Sequence, residues 1–272
     1  MYANASKGTV PAGVCSSRLI TLFEHCKVTE NEMLDNFKLG FKKTFITDNR
    51  WKVFLEGFKN TMIITVVATL IGIVLGVIVS LVHSLAENAR DKHEKTLGAA
   101  ILKILDKICN IYVAVMRGTP LAIQLTIMAF IVLAGFPNKI LVCCIAFGVN
   151  SGAYVSEVIR AGIASVDYGQ TEAGRSLGIS QLGTLWHIVL PQAVKNILPA
   201  LCNEFIAVLK ETAIVGLISV VDLTRASDLV RSRTLSPYFP LVSVAIVYFI
   251  LVYGLSKAVS NLERRLAQSD RN

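Results

Sequence analysis

Between Thr61 and His83 the chain carries no Asp, Glu, Lys or Arg. Wound as a helix, a stretch of that length covers the hydrocarbon core of a bilayer, about 30 Å thick. Lipid tolerates little else, because every backbone amide and carbonyl must then be satisfied inside the segment. Any fold that contains this run is built around a membrane. Composition agrees: 53% of the 272 residues are hydrophobic, 17% are charged and the mean hydropathy is +0.58, too apolar for an ordinary soluble domain. Within the run, Gly72 and Gly76 form a GxxxG pair, which permits close helix approach and is also common by chance.

Read on the same terms, the chain predicts an all-α membrane protein with five spans, at about 61–83, 118–136, 140–163, 193–221 and 235–256. Residues 84–116 read as a charged connector, and Arg90, Lys92, Lys95, Lys103 and Lys107 favour a cytoplasmic position for it. Arg117-Gly118-Thr119-Pro120 opens the second span, with Thr119 as helix cap and Pro120 in the first helical position. In the third span Asn150, Tyr154 and Glu157 fall on one face, and Arg160 lies three residues beyond Glu157. Charges at that depth must pair or line a wet cavity, so Glu157 and Arg160 are either an internal ion pair or part of a solute path.

The fourth span is the most polar. Pro199 can bend it, and Asn203, Glu204, Lys210, Glu211 and Thr212 interrupt its apolar surface. Glu204 and Glu211 share a face, with Asn203 and Lys210 on the neighbouring one. Such residues turn toward a bundle interior, which makes this helix the best candidate for lining a pathway. They either meet a solute there or hold one another in place.

The net charge of +8 does not point to nucleic acid, since the basic residues are scattered among loops with no interleaved aromatic series. Anionic headgroups are the expected counter-charge. Cys109, Cys143, Cys144 and Cys202 lie in or beside apolar runs, where a thiol serves as a small hydrophobe, while Cys15 and Cys26 would pair only in an oxidising compartment. His25, His83, His93 and His187 share no ligand spacing, so no metal site is expected. Residues 1–55 form a polar N-terminal extension with no apparent cleaved leader. Inside it, Glu32 to Phe45 reads either as an amphipathic helix on the membrane surface or as a solvated tail.

Residues 170–191 break the apolar pattern without reading as loop. Helix formers run from Gln170 to Leu177, Gly178 supplies a left-handed stop, Ser180 caps a second helix, and Pro191 closes the segment. The product is a helix–turn–helix with Leu177 and Ile179 exposed at its corner, a knob shaped for a partner's groove. Glu172, Ala173, Gly174, Gly178, Ile188, Leu190 and Pro191 resemble the "EAA" signature of permease subunits of ATP-binding cassette (ABC) importers. Alanine is usual in that signature where this chain has Gly174, which would loosen the first coupling helix slightly. Arg117-Gly118-Thr119-Pro120 with Gln124, and Gly152-Ala153-Tyr154 with Glu157 and Arg160, also resemble the polar amino acid group, the histidine/glutamine/arginine importers. Lys-Glu-Thr-Ala-Ile at 210–214 departs conservatively from that group's Lys-Asp-Thr-Ser-Leu.

The resemblance implies a five-helix ABC type I importer permease core over residues 56–265, with cytoplasmic coupling helices and a short tail at 266–272. It implies ATPase coupling through Glu172, Ala173, Gly174, Leu177, Gly178, Ile179, Ile188, Leu190 and Pro191. The expected solute path is lined by Gln124, Tyr154, Glu157, Arg160, Asn203, Glu204, Lys210, Glu211 and Thr212. The chain has no GxxxxGK[ST] phosphate loop, so it is expected to carry no cofactor and no catalysis. ATP and Mg would belong to a cytoplasmic ABC ATPase dimer, and a second permease subunit and an extracytoplasmic amino acid-binding protein complete the expected partners. Orientation in the cell membrane rests on the coupling segment meeting that ATPase, because Lys38, Lys42, Lys43, Arg50 and Lys52 before the first span oppose an outside N-terminus. Another small polar solute, a passive channel and an intramembrane enzyme are the competing readings. A channel needs no coupling segment, and Ser151, Ser156, His187 and the cysteines lack base–nucleophile spacing for an enzyme.

Overall fold

A computed structural model describes residues 34–91 and 96–269, and all of its regular elements are helical. Cys15, Cys26, His25 and His93 lie outside the described residues, as does the start of the surface segment predicted from Glu32. The first long helix, α1 (Trp51–Asp91), is 41 residues long and extends the apolar run at both ends. At 1.5 Å per residue it is about 60 Å long, so it projects well beyond the bilayer core.

The region read as a charged connector is largely helical. Helix α2 (Leu97–Gly118) starts on a cap in which Thr96 Oγ1 accepts from Ala99 N at 3.2 Å. Its one acidic residue is turned inward: Asp106 is buried against α1, 2.7 Å from both His83 Nδ1 and Arg90 Nη2, while Lys103 and Lys107 stay exposed. Ile101, Ile104, Ile108 and Ile111 are exposed. A helix with an exposed row of isoleucines and an inward carboxylate can lie against lipid along that row, but no search for an uncharged run finds it.

Beyond α2 the chain bends by 111° into α3 (Leu121–Ile127), which continues as a π turn at Met128–Val132. From its start to Val132 this helix rises only about 18 Å, too short to cross by itself. The helix expected at 118–136 is thus one limb of an elbow whose other limb is α2. Thr119 does not cap α3: its hydroxyl donates to Val115 O at 2.8 Å, and Pro120 takes the capping position with the helix starting at Leu121.

Helix α4 (Lys139–Ala164) is the centre of the bundle, capped by Asn138, whose Oδ1 accepts from Leu141 N at 3.2 Å. It lies against α1 along facing glycines. A Cβ on Gly72 would sit 2.7 Å from Ser151 Oγ, and one on Gly148 would sit 2.6 Å from Ile71 Cβ. Gly72 and Gly76 lie against Ser151 and Val155 of α4, and Gly148 and Gly152 of α4 lie against Ile71 and Leu75 of α1, so small residues on both helices let the backbones approach.

After α4 come α5 (Tyr168–Ser176) and α6 (Gln181–Thr184), then a π turn at Leu185–Val189 that runs without a stop into α7 (Leu190–Glu211). Pro191 was expected to close the hairpin. Instead it lies in the first turn of α7, and the wider winding before it accommodates the missing amide and the ring's clash four residues back. A 3₁₀ stretch, Thr212–Ile218, follows; then come α8 (Leu223–Thr234), capped by Asp222, and α9 (Tyr238–Ser269). Helices α1, α4 and α9 are long and apolar enough to cross a membrane, and the α2–α3 elbow would make a fourth, broken span. The 22 residues of α7 supply the length for a fifth, about 33 Å.

Two buried clusters hold the bundle. Ile64, Leu125, Val142, Phe147, Val208 and Val215 join α1, α3, α4 and α7. Val155, Ile159, Ala193 and Ile197 join α4 to α7 nearer the α5–α6 hairpin. Cys143 and Cys144 are buried free thiols of the core, as their apolar setting predicts.

Candidate functional site: a surface hairpin and a polar seam

The hairpin is shaped by short-range hydrogen bonds. Asp167 Oδ1 accepts from Gly169 N at 2.7 Å and starts α5. At its end Gly178 has φ +80, and the bonds Gly178 N to Arg175 O (2.9 Å) and Ile179 N to Gly174 O (3.1 Å) close a Schellman turn. Ser180 Oγ then accepts from Gly183 N at 3.2 Å, capping α6. The expected stop and cap stand where the residues placed them, within a residue or two.

The sides of the hairpin differ. Glu172, Ala173, Leu177, Gly178 and Ile179 are exposed, Leu177 at 80% of its surface. Gly174 is buried between the two helices, where a Cβ would lie 2.7 Å from Thr184 Cγ2 and 2.9 Å from Ile188 Cδ1. The space of the usual alanine methyl is filled here by Thr184. Leu190 is half-buried and Pro191 exposed at the junction with α7. Gln192 Nε2, donating to Ile188 O at 3.0 Å, and Asn196 Nδ2, donating to Ser165 Oγ at 2.8 Å, tie the base of the hairpin to α7 and the end of α4. A cavity of about 560 Å³ separates the hairpin from the C-terminal end of α1, lined among others by His83, Glu87, Arg160, Tyr168 and Arg175.

The second constellation is a polar seam through the bundle. At the elbow, Gln124 Nε2 donates to Met116 O (2.9 Å), Thr119 O (3.1 Å) and Thr119 Oγ1 (2.8 Å), carbonyls and a hydroxyl at the break between α2 and α3. Its Oε1 accepts from Asn150 Nδ2 of α4 at 2.8 Å. Gln124 is thereby occupied as a peg.

Just inside, Arg117 Nη1 lies 3.0 Å from Glu157 Oε2, and Arg160 Nη2 lies 2.7 Å from the same oxygen. The Arg117 guanidinium also sits 5.7 Å from the centroid of the Tyr154 ring. One carboxylate thus faces two guanidiniums, leaving a formal excess of one positive charge. Glu157 and Arg160 also line a cavity of about 340 Å³ with Ser80, His83 and Glu87 of α1 and Asn110 of α2.

On α7, Glu204 is half-buried and its Oε1 accepts from Ser151 Oγ at 2.8 Å. Asn203, Lys210 and Glu211 are exposed, whereas Thr212 is buried and donates to Leu209 O at 2.7 Å, a local bond that keeps it from a solute. The structure therefore gathers Tyr154, Glu157 and Arg160 in one place, and puts Gln124 and Thr212 in supporting positions. Arg117, read from sequence as the opening of the second span and part of the resemblance to the polar amino acid group, belongs to the first group. Forty positions separate it from Glu157, and no local spacing connects them.

Residues 96–268 match the family described as "binding-protein-dependent transport system inner membrane component". The chain is 42% identical over 167 residues to a glutamine transport system permease protein, GlnP, of Rickettsia conorii, covering 60% of this chain and 77% of that one. It is 40% identical over 166 residues to the arginine transport system permease protein ArtQ of Bacillus subtilis, covering 60% and 76%. Among solved structures, an amino acid ABC transporter crystallised with histidines superposes with a TM-score of 0.68 at 38% identity, over 79% of this chain and 94% of that one.

Proposed function

This chain belongs to the family of binding-protein-dependent transport system inner membrane components, multi-pass proteins of the cell membrane, and from that premise we propose that it carries a polar amino acid inward as the permease subunit of an ATP-driven importer. The observation that carries the coupling half of this reading is the α5–α6 hairpin. Its corner is fixed by two turn bonds and a cap, and it presents Leu177 and Ile179 to whatever lies beyond the bundle. A rigid, apolar-tipped projection between two membrane helices is suited to receive force from a cytoplasmic ABC ATPase dimer, where ATP and Mg would be bound. Moving the hairpin moves α4 and α7, to which it is directly joined, and so shifts the bundle between two states open to opposite sides.

The solute half rests on the seam. The positive charge left over by Arg117, Glu157 and Arg160 matches an α-carboxylate, and Glu204, Asn203 and Glu211 on α7 offer partners for an ammonium or a polar side chain. A second permease subunit, the same chain or a similar one, would close the path, and an extracytoplasmic binding protein would deliver the amino acid. Proteoliposomes containing the permease, ATPase and binding protein test this: uptake of the amino acid should require ATP. Gly178→Pro should abolish that uptake while the protein still inserts, because proline is locked near φ −65° and lacks the amide that donates to Arg175 O. Undiminished ATP-dependent uptake by the variant would overturn the coupling role.

A further inference from the structure

The segment ahead of α1 takes no part in the hairpin or the seam, and its surface is of two kinds. Residues 34–41 are helical, Lys42–Ile46 continue as a π turn, and Arg50 steers the chain into α1 by donating to Lys43 O at 2.7 Å and Asp48 Oδ2 at 3.0 Å. One side packs on the bundle. The Phe37 ring meets Phe239 edge-on at 5.0 Å, a Cβ on Gly40 would lie 2.6 Å from an edge atom of that ring, and Thr44 is buried. Rings of Phe41, Phe45 and Phe54, at 5.0 and 5.4 Å, lead from the segment onto α1.

The other side is uncovered. Phe41, Ile46 and Trp51 are each about half exposed, beside the exposed Lys38, Lys42 and Lys43. Against these three lysines stand Asp35, 3.8 Å from Lys38, and Asp48, which is neutralised by Arg50 at 3.0 Å. The segment touches α9 at its first turn and leads directly into α1, and both helices are apolar enough to cross a membrane. Its packing on Phe239 sets it level with the first turn of α9, where that helix enters lipid, and about ten residues ahead of the uncharged run of α1. Aromatic rings at that depth, with lysines beside them, are the composition of an interfacial helix: rings in the acyl boundary, ammonium groups among phosphates.

We propose that residues 34–52 are a docking surface for anionic phospholipid, with Lys38, Lys42 and Lys43 on the headgroup phosphates and Phe41, Ile46 and Trp51 against the acyl chains. The leaflet, the extracytoplasmic one, rests on the orientation proposed above, whereas the contact with lipid does not.

Trp51 supplies the probe. The chain has two tryptophans, so the full-length protein with Trp186→Phe reports from Trp51 alone. It is placed in nanodiscs of phosphatidylcholine containing equal fractions of acyl-brominated phosphatidylglycerol or acyl-brominated phosphatidylcholine. Quenching of Trp51 should be stronger, by about twofold or more, with the brominated anionic lipid. The excess should vanish at high salt and in Lys38→Gln/Lys42→Gln/Lys43→Gln. Equal quenching by the two lipids, or an excess that survives both salt and the triple substitution, would overturn the headgroup contact. Absence of quenching by either lipid would overturn the interfacial placement. Salt dependence of the unsubstituted segment reads the same contact should the triple variant misfold. Neither measurement involves ATP, solute or partner, so its failure and a failure of transport are separate results.

Discussion

The hairpin at Asp167–Val189 and the elbow at Arg117–Gln124 are both breaks between helices, and both hold a glycine within two residues of a hydroxyl residue, Gly178 and Ser180 in one, Gly118 and Thr119 in the other. They are fixed in opposite ways. At the hairpin, Gly178 takes φ +80, and every bond that shapes the corner joins residues no more than five apart. At the elbow, Gly118 has a negative φ and open space around it, and the bend is pegged by Gln124, which reaches back eight residues to Met116 and across to Asn150 on α4. A corner made of local bonds keeps its shape wherever its flanking helices go. A bend pegged to a neighbouring helix changes when that neighbour moves. The first suits a part that transmits a push; the second suits a part that responds to one.

The sharpest way to break this contrast is Gln124→Leu. It removes the donor shared by Met116 O, Thr119 O and Thr119 Oγ1, and takes from the Asn150 amide, at 4% exposure, its 2.8 Å partner, leaving it the longer bond to Met116 O at 3.3 Å. Losing bonds at a part-buried peg costs about 1–3 kcal/mol, so the midpoint of thermal unfolding in detergent should drop by several degrees, more than for loss of the Ser180 cap in the hairpin. ATPase binding by the hairpin should survive. A variant that melts like the parent would mean that the elbow holds itself and that the contrast is false.

The same difference decides what could be read from the residues. Gly178 and Ser180 announce the hairpin because each signal sits within a few residues of what it caps, and the run from Thr61 announces α1 because lipid imposes its length. Asp106 gave no such sign. Its partners, His83 and Arg90, are 23 and 16 residues away, and without them in view Lys103, Asp106 and Lys107 read as part of a charged connector. Gly72 and Gly76 are legible as permission for close packing, but that Gly148 and Gly152 make the matching room on α4 for Ile71 and Leu75 comes to light only once the two helices lie together. The Arg117–Glu157 contact was illegible for the same reason, and so the residue that gives the seam its positive excess was assigned to a helix start. Pro191 misleads in the other direction: a proline reads as a stop, yet the π turn before α7 widens enough to take its missing amide and its ring.

A smaller effect sharpens the local half of the comparison. In this hairpin Thr184 occupies the place of the methyl that Gly174 lacks, and the Thr184 hydroxyl is buried with no partner among the described residues. Gly174→Ala gains helix propensity, about 1 kcal/mol, but drives its methyl against Thr184; Thr184→Ala removes both the obstruction and the orphan hydroxyl. The two substitutions should therefore be more stabilising together than their separate effects sum to, by about 0.5–2 kcal/mol in a double-mutant cycle. Strict additivity would show that the two residues do not share one space.

The smallest effect separates two hydroxyls that look alike in sequence. Ser180 and Thr119 each precede a helix, but only Ser180 caps one, accepting from Gly183 N, while Thr119 donates to Val115 O and accepts from Gln124. Ser180→Ala should cost about 1 kcal/mol, and Ser180→Asp should restore it, since a carboxylate accepts from the same amide and is favoured at a helix start. At position 119 an aspartate has no proton for Val115 O and brings a charge to a carbonyl, so Thr119→Asp should be worse than Thr119→Ala. Thermal midpoints of the four variants read the ordering directly. Rescue by aspartate at both positions would make Thr119 a cap after all and would turn the elbow into a second local corner.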